Sequence, residues 1–482
     1  MPNQTHNVRT GALLAYSAEG GLCLTIVSIV LLASLSGLNE INIIVTSVFV
    51  GLVFVNLLIG RRTLWLSPEM ILFSVWLGVS CVSLLVARDS DAAWFKTLTL
   101  LQIGVFAFAA QQVVVWRGTI RPFVWVFAIA LIASYLLAYS ETTAFELAKM
   151  DVEGEHGEDL ARIASTLGNA NMFGVSCCMA LCLLWVDRKA SNAVWGFTPR
   201  LALTVICTLL IVAALHSGSR TALLGLLVVM IGYVVVEQLY RPRILLGHLY
   251  SVIPAVFVLG GLLLLASGSV AFQDKAGALL VDNERVISRI HHLIAVFSGA
   301  DALSSEDGSI SSRTQMIVSG LKLIAQHPMF GIGLDNFRSA SGADTYSHSN
   351  PIEVVVSTGI VGGVLYFGIY AVLLLRLFKI RRRATSRASA SAMICSVLAF
   401  MLMDITHISF SEKTSWLFLA LMSALSCVLL KRGVRRSRRS TSARSEFAQM
   451  LRSTEIYKRK ASDLHGVEPS GPDMPPTGVR SQ

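Results

Sequence analysis

Four residues in this sequence are candidates to move protons or hold anions, three of them beside or inside an apolar run and one near the head of a helical pattern. His348 precedes the run that opens near Pro351, Arg220 heads the run 221–236, Arg313 opens a helical pattern over Ser312–Gln326, and Asp404 lies near the end of the run 389–405. An imidazole with an ordinary pKa near 6.5 can take a proton from a hydroxyl at neutral pH. A guanidinium keeps its charge and offers a planar fork of donors that fits phosphate oxygens two at a time. Such a set suits a reaction in which an anionic leaving group departs while a hydroxyl is deprotonated. Plainer readings stand beside these. His348 also fits an interfacial histidine at a helix start, and Arg220 fits a cation that keeps a hairpin from sinking into lipid. Arg313 fits a solvated first-turn residue at the unfavourable end of a helix dipole, where an anionic partner would offset a local cost. Asp404, with His407 three residues on, is an acid inside an apolar run, and such acids are functional candidates by default.

The elements that must position these residues are membrane helices. Of 482 residues, 54% are hydrophobic and 15% charged, and the apolar residues come in blocks of the roughly 17–25 positions that cross a bilayer core. Only helices satisfy their own backbone in hydrocarbon. The expected fold is an all-α integral membrane protein with about twelve spans, near 22–38, 41–60, 68–87, 97–115, 122–139, 172–186, 201–216, 221–236, 249–271, 351–377, 389–405 and 415–430. Residues 1–21 are read as a cytoplasmic N-terminus followed by a retained first span. Residues 22–271 carry spans one to nine, 272–350 form a long extracytoplasmic loop with amphipathic helices, 351–430 carry the last three spans, and 431–482 form a basic, disordered cytoplasmic tail.

Charge sets the orientation. Alternate loops are basic, at Arg61-Arg62, Arg117/Arg121, Arg188-Lys189, Arg241/Arg243 and Lys379–Arg387, while Glu141–Asp159 holds seven acids against one Lys. Twelve spans with both termini inside satisfy the positive-inside bias at every loop. The formal charge of +10 therefore belongs to loops facing anionic lipid and not to a nucleic-acid surface. All eight cysteines fall inside apolar blocks, which offers neither a disulfide framework nor zinc spacing.

Within the long loop, Glu284–Ser298 forms an amphipathic pattern with Arg285, Arg289 and His292 on its polar face. Ser312–Gln326 opens with Ser312 and Gln315 at capping-box spacing and ends at His327-Pro328. Gly331-Ile332-Gly333 is not a dinucleotide loop, because Asn336 holds the third glycine position and no βαβ unit surrounds it. Gly359 and Gly363 have helix-packing spacing. The acidic run Asp151–Asp159 is read as a solvated loop and not a cation site. The segment 272–350 carries six Lys/Arg and eight Asp/Glu, a net −2, so any anion must be held by particular arginines.

Residues 309–367 are different in kind. An Arg-headed helix leads to His327-Pro328-x-x-Gly331-x-Gly333, a polar stretch ends at His348, and Glu353 and Gly359-Ile360-x-Gly362 open the next run. His348-Ser349, nine residues, Gly359, two residues and Gly362 complete a ligase signature. Gly168-Asn169-Ala170-Asn171 and Ser217-Gly218-Ser219-Arg220 stand at matching places in the span order. In these motifs the chain resembles the bacterial O-antigen ligase and polysaccharide polymerase superfamily over most of 20–430.

The resemblance implies a metal-independent, inverting membrane glycosyltransferase without cofactor. It would move a glycan from an undecaprenyl-diphosphate-linked donor to a hydroxyl on a glycan or lipid A–core acceptor. It assigns His348 as the base, Arg220 and Arg313 as diphosphate contacts and Asp404 as a supporting acid. It places the protein in the bacterial inner membrane, among membrane lipids, with its site on the extracytoplasmic face. A polysaccharide polymerase of the same superfamily is the alternative, and glycan transfer to protein is a third. A lipid-linked sugar flippase is the rival of another class. The long structured outer loop, the absence of an internal repeat and the lack of charged residues mid-span weigh against it.

Overall fold

The computed structural model describes residues 3–32, 39–59, 62–139, 165–191, 197–217, 219–240, 308–342, 346–383 and 386–464. Among them every regular element is helical: α1 (Asn3–Leu31), α2 (Asn39–Leu58), α3 (Pro68–Ser83), α4 (Ser90–Arg117), α5 (Arg121–Tyr139), α6 (Ala170–Ala190), α7 (Phe197–His216), α8 (Arg220–Tyr240), α9 (Gly308–Gln326), α10 (Phe337–Ser341), α11 (Asn350–Arg381), α12 (Arg387–Asp404) and α13 (Lys413–Leu464). Short 3₁₀ turns at Leu84–Val86 and Ser165–Leu167 complete the set. Ten segments, from Leu14–Leu31 to Lys413–Arg432, are long and apolar enough to cross a membrane, and Arg220–Val236 is a shorter apolar helix. The chain is thus an α-helical membrane protein. Of the expected spans, that at 249–271 lies outside the described residues, as do the helix expected at Glu284–Ser298 and the acidic run Asp151–Asp159. The first span begins earlier than expected, at Leu14 rather than 22, because Leu14, Ala15 and Ala18 extend its apolar run towards the N-terminus.

Local signals fix the helix ends. Ser67 caps α3 by accepting from the Met70 N–H at 3.3 Å, with Pro68 in the first turn where a missing N–H costs nothing. Asp89 caps α4 through the Ala92 N–H at 3.0 Å, and Gly118, left-handed at φ 75°, closes that helix onto the Val114 carbonyl. Asn169 caps α6 by accepting from the N–H groups of Asn171 and Met172 at 2.8 and 3.1 Å.

The chain forms two compact units, Met1–Leu429 and Leu430–Gln482. In the second, the backbone is helical to Leu464 where the sequence suggests a disordered tail, through residues that are mostly good helix formers. In the first, α12 packs on α6, α8 and α11, α6 also meets α5, α7 and α8, and α3 lies along α11. An aromatic seam joins α3 and α11 to the start of α13, with Trp76–Tyr366 centroids 5.2 Å apart and Phe73–Trp416 centroids 4.4 Å apart.

Polar contacts gather at two ends of the helical unit. The basic end holds Arg121, whose Nε–H donates to Asp187 Oδ2 at 3.1 Å, together with Arg188, Lys189, Arg381 and Arg387. Nearer that end than the other, Glu69 of α3 pairs with Arg376 of α11. Arg376 also donates to Ser423 Oγ at 3.1 Å, and Gln111 Nε2 donates to Ser67 and Ser423 at 2.9 and 2.7 Å. Four helices therefore share one buried polar cluster, with Glu69 and Arg376 near the ends of their spans, and no local sequence pattern marks it. The opposite end gathers Ala87–Asp89, the start of α8, the turn 328–336, His348 and the loop 405–412.

Candidate functional site

The site end is organised around a break in α11. Gly359 has φ 70° and ψ −177°, a conformation that essentially only glycine adopts. The break frees carbonyls that an unbroken helix would use, and the turn after α9 takes them. The Ile332 N–H donates to the Val356 carbonyl at 2.9 Å, the Gly333 N–H to the Ser357 carbonyl at 3.1 Å, and the Ile360 N–H to the Pro328 carbonyl at 2.8 Å. Gly331 and Gly333 are also left-handed, at φ 70° and 91°. A Cβ on Gly331 would collide with the Val356 carbonyl, and one on Gly359 with the Met329 backbone. The His-Pro-x-x-Gly-x-Gly turn and the Gly359 signature are thus two halves of one docking joint. This corrects the expected role of Gly359: it meets the 328–333 turn, not a neighbouring helix.

His348 sits just above this joint, at the mouth of α11. Its own backbone is left-handed, φ 52°, an uncommon state for a non-glycine residue. The residues on either side hold it there. The Ser347 N–H donates to the buried Glu353 carboxylate at 3.0 Å, and the Ser347 hydroxyl donates to the Ser349 carbonyl at 3.0 Å. The Glu353 N–H closes the first turn onto the Ser349 carbonyl at 2.9 Å. Tyr346 and His348 rings lie 4.6 Å apart, and the histidine is only half-buried.

Asn350 then ties this strained start to the loop 405–412. Its Oδ1 accepts from the Ser409 and Phe410 N–H groups at 3.2 and 3.0 Å, and its Nδ2 donates to Tyr366 and to Asp404 Oδ2 at 3.0 and 3.3 Å. Tyr370 donates to the same Asp404 oxygen at 2.8 Å. Asp404 is buried at the foot of this arrangement, so its geometry is that of a support for Asn350 and, through it, for the His348 loop.

The other end of the 405–412 loop reaches Arg220. Thr406 and Thr221 share a hydroxyl–hydroxyl hydrogen bond of 2.7 Å, and the Ser219 hydroxyl accepts from the Ala222 N–H at 3.2 Å at the start of α8. Arg220 is the first residue of α8, a half-buried cation at the positive end of a helix dipole, where an anion would be doubly favoured. His348 and Arg220 are therefore joined by one short loop through Asn350 on one side and Thr221 on the other.

Arg313 lies on α9, which packs against α11 through Ile352 and Val356 at Gly320. The helix begins at Gly308, not Ser312, so Arg313 is in its second turn and Ser312 does not cap it. The dipole argument made for Arg313 applies instead to Arg220.

Three residues of this end escaped the sequence reading. Lys96, half-buried on α4, places its Nζ 5.8 Å from the Phe410 ring and acts on Glu412. Desolvation pushes the Glu412 carboxyl up to about 7, with Lys96 and Lys413 opposing the shift. Asn336 clamps the loop before α4: its Oδ1 accepts from the Asp89 N–H at 2.6 Å and its Nδ2 donates to the Asp89 carbonyl at 3.1 Å. Lys96 and Glu412 sit in unremarkable sequence, and only the packing brings them to Phe410. Asn336 carried a signal, a lone amide in a glycine-rich turn.

Residues 205–367 match the family model described as O-antigen ligase. The matched stretch includes Arg220, Arg313, His348 and the Gly331–Gly359 joint, and it ends before Asp404 and His407. No curated protein matches the chain. A helical membrane bundle whose matched stretch contains both the docking joint and the His348 mouth supports the resemblance to the O-antigen ligase superfamily.

Proposed function

We propose that this protein transfers a polyprenyl-diphosphate-linked glycan to an acceptor hydroxyl on the extracytoplasmic side of the bacterial cytoplasmic membrane. The observation that carries the reading is the gathering of His348 and Arg220 at the two ends of the 405–412 loop, inside a stretch similar to O-antigen ligases. The basic character of the opposite end supports a cytoplasmic orientation for that end and an outward-facing site.

In this reading Arg220 and Arg313 hold the diphosphate of the donor, with Lys96 as a further cation at the same end. Their charge-assisted hydrogen bonds shorten and strengthen as the glycosidic C–O bond to phosphate breaks. His348 accepts the acceptor's hydroxyl proton as that oxygen bonds to the anomeric carbon from the opposite face. The products are the elongated glycan with inverted anomeric configuration, undecaprenyl diphosphate, and a protonated imidazole that returns its proton to solvent. No step calls for a divalent cation.

Donor titration and turnover on purified variants test the division of labour. A base lost at His348→Ala lowers turnover by about 10²–10⁴-fold while donor binding stays near normal. Arg220→Ala and Arg313→Ala weaken donor binding as well as turnover, and Lys restores them only in part because it cannot bind bidentately. Near-normal transfer by a well-inserted His348→Ala protein refutes the mechanism. In cells, deletion separates ligase from polymerase: loss of all polymer on lipid A marks the first, retention of a single repeat unit the second.

A further inference from the structure

His407 lies midway along the loop that joins the two halves of the site. Its neighbour Thr406 is fixed to Thr221 beside Arg220, and the backbone at Ser409 and Phe410, two and three residues on, is fixed to Asn350, which is itself two residues past His348. The imidazole is 8% exposed, and among the described residues none hydrogen-bonds its ring nitrogens. A polar side chain that is nine-tenths buried and has no partner among the described residues calls for an explanation. Burial first, and then the nearby His348, push its pKa down to about 4, so the ring is neutral at physiological pH. A neutral imidazole presents one N–H donor and one bare nitrogen acceptor, the complement of an alcohol, which donates and accepts at one oxygen. Without a charge it holds a phosphate less strongly than Arg220 does, whereas its paired donor and acceptor, placed between the two anchors, suit a sugar hydroxyl.

We propose that His407 is a glycan-binding residue that hydrogen-bonds a hydroxyl of the acceptor sugar beside the one deprotonated by His348. The inference rests on the transfer reaction proposed above and names a specificity contact within it. The side chain does not touch the bond being made. It fixes how the acceptor ring is presented to His348, and its loss registers in acceptor affinity before turnover.

The test uses the full-length protein with an undecaprenyl-diphosphate-linked glycan as donor and purified lipid A–core as acceptor. Leucine at this position removes both hydrogen-bonding functions, whereas glutamine keeps one donor and one acceptor. His407→Leu is expected to raise the acceptor KM about 3- to 10-fold with the donor Kd unchanged, and His407→Gln to recover most of that loss. An unchanged acceptor KM in His407→Leu, equal losses in the two variants, or a parallel rise in donor Kd overturns the proposal. A second measurement needs no variant: carbethoxylation of His407 in the native protein, followed by mass spectrometry. Lipid A–core is expected to slow the modification several-fold and undecaprenyl diphosphate alone to leave it unchanged; no protection by lipid A–core overturns the proposal even if the variants fail to insert. The two readings fail separately. Transfer by His348→Ala defeats the mechanism, whereas an inactive His348→Ala beside a His407→Leu of normal acceptor affinity defeats this inference alone.

Discussion

Replacing Gly359 by alanine tests whether the joint between α11 and the turn after α9 organises the site. The backbone there, φ 70° and ψ −177°, is one that a residue with a Cβ holds only at a cost of about 1–3 kcal/mol. The new methyl would lie against the Met329 carbonyl, a backbone group that cannot swing aside. The cheaper course is for the turn to lift off, which forfeits the three hydrogen bonds from Ile332, Gly333 and Ile360, each worth about 1 kcal/mol net. The local cost is then about 4–6 kcal/mol. Hydrogen exchange in the purified protein reads it directly. The amides of Ile332, Gly333 and Ile360 should lose about three to four orders of magnitude of protection, since 1.4 kcal/mol is about one decade. Transfer should fall about 100-fold, because misplacing a reactive group by about 1 Å has that effect. Gly368→Ala is the control: its Cβ would meet only Leu72 Cδ1, at an ordinary 3.7 Å, and should change neither quantity. Native exchange at the three amides in Gly359→Ala would show that the joint does not hold the turn.

Three further outcomes are expected. Arg376→Met leaves Glu69 buried without its partner and should destabilise the protein by about 3–5 kcal/mol in thermal unfolding, and adding Glu69→Gln should recover most of that loss; a single variant as stable as the native protein contradicts it. Glu412, raised from 4.5 to about 7 in the folded state, binds more protons when folded than unfolded between those values, so its contribution to stability is present below about pH 4.5 and lost as pH rises through about 7. Glu412→Gln should flatten that part of the stability profile, and an unaltered slope would contradict the assignment. Reporter fusions at Gly342 should be extracytoplasmic and at Arg383 cytoplasmic, and the reverse pattern would invert the proposed orientation.

Much of the fold was legible because lipid forces a simple rule: long apolar runs become helices, and basic loops mark one end. Ten helices of spanning length answer to that rule, and the His348 signature was readable as a motif. The meaning of its glycines was not. Gly359 and Gly363, four apart, look like a packing face, and only coordinates reveal that Gly359 breaks the helix and receives a turn some thirty residues upstream. Helix starts misled for a similar reason. Ser312 and Gln315 satisfy a capping pattern, but the helix had already begun at Gly308, which moves Arg313 away from the dipole. Lys96, Asn336 and Glu412 became visible only when α4, the 328–336 turn and the 405–412 loop met, since no local pattern marks a contact across more than 240 residues.

The docking joint also sets a rule for anyone who builds chimeras of such proteins. Residues 328–333 and 356–360 exchange hydrogen bonds through backbone atoms alone, so they mate as a plug and socket whose fit depends on chain geometry and on the glycines at 331 and 359 that permit it. An outer segment transplanted from another protein would seat correctly when it carries both parts, and would rattle when it carries one. The graft boundary should therefore fall after Gly363, inside the membrane-spanning run, and not at His348, where the sequence changes character.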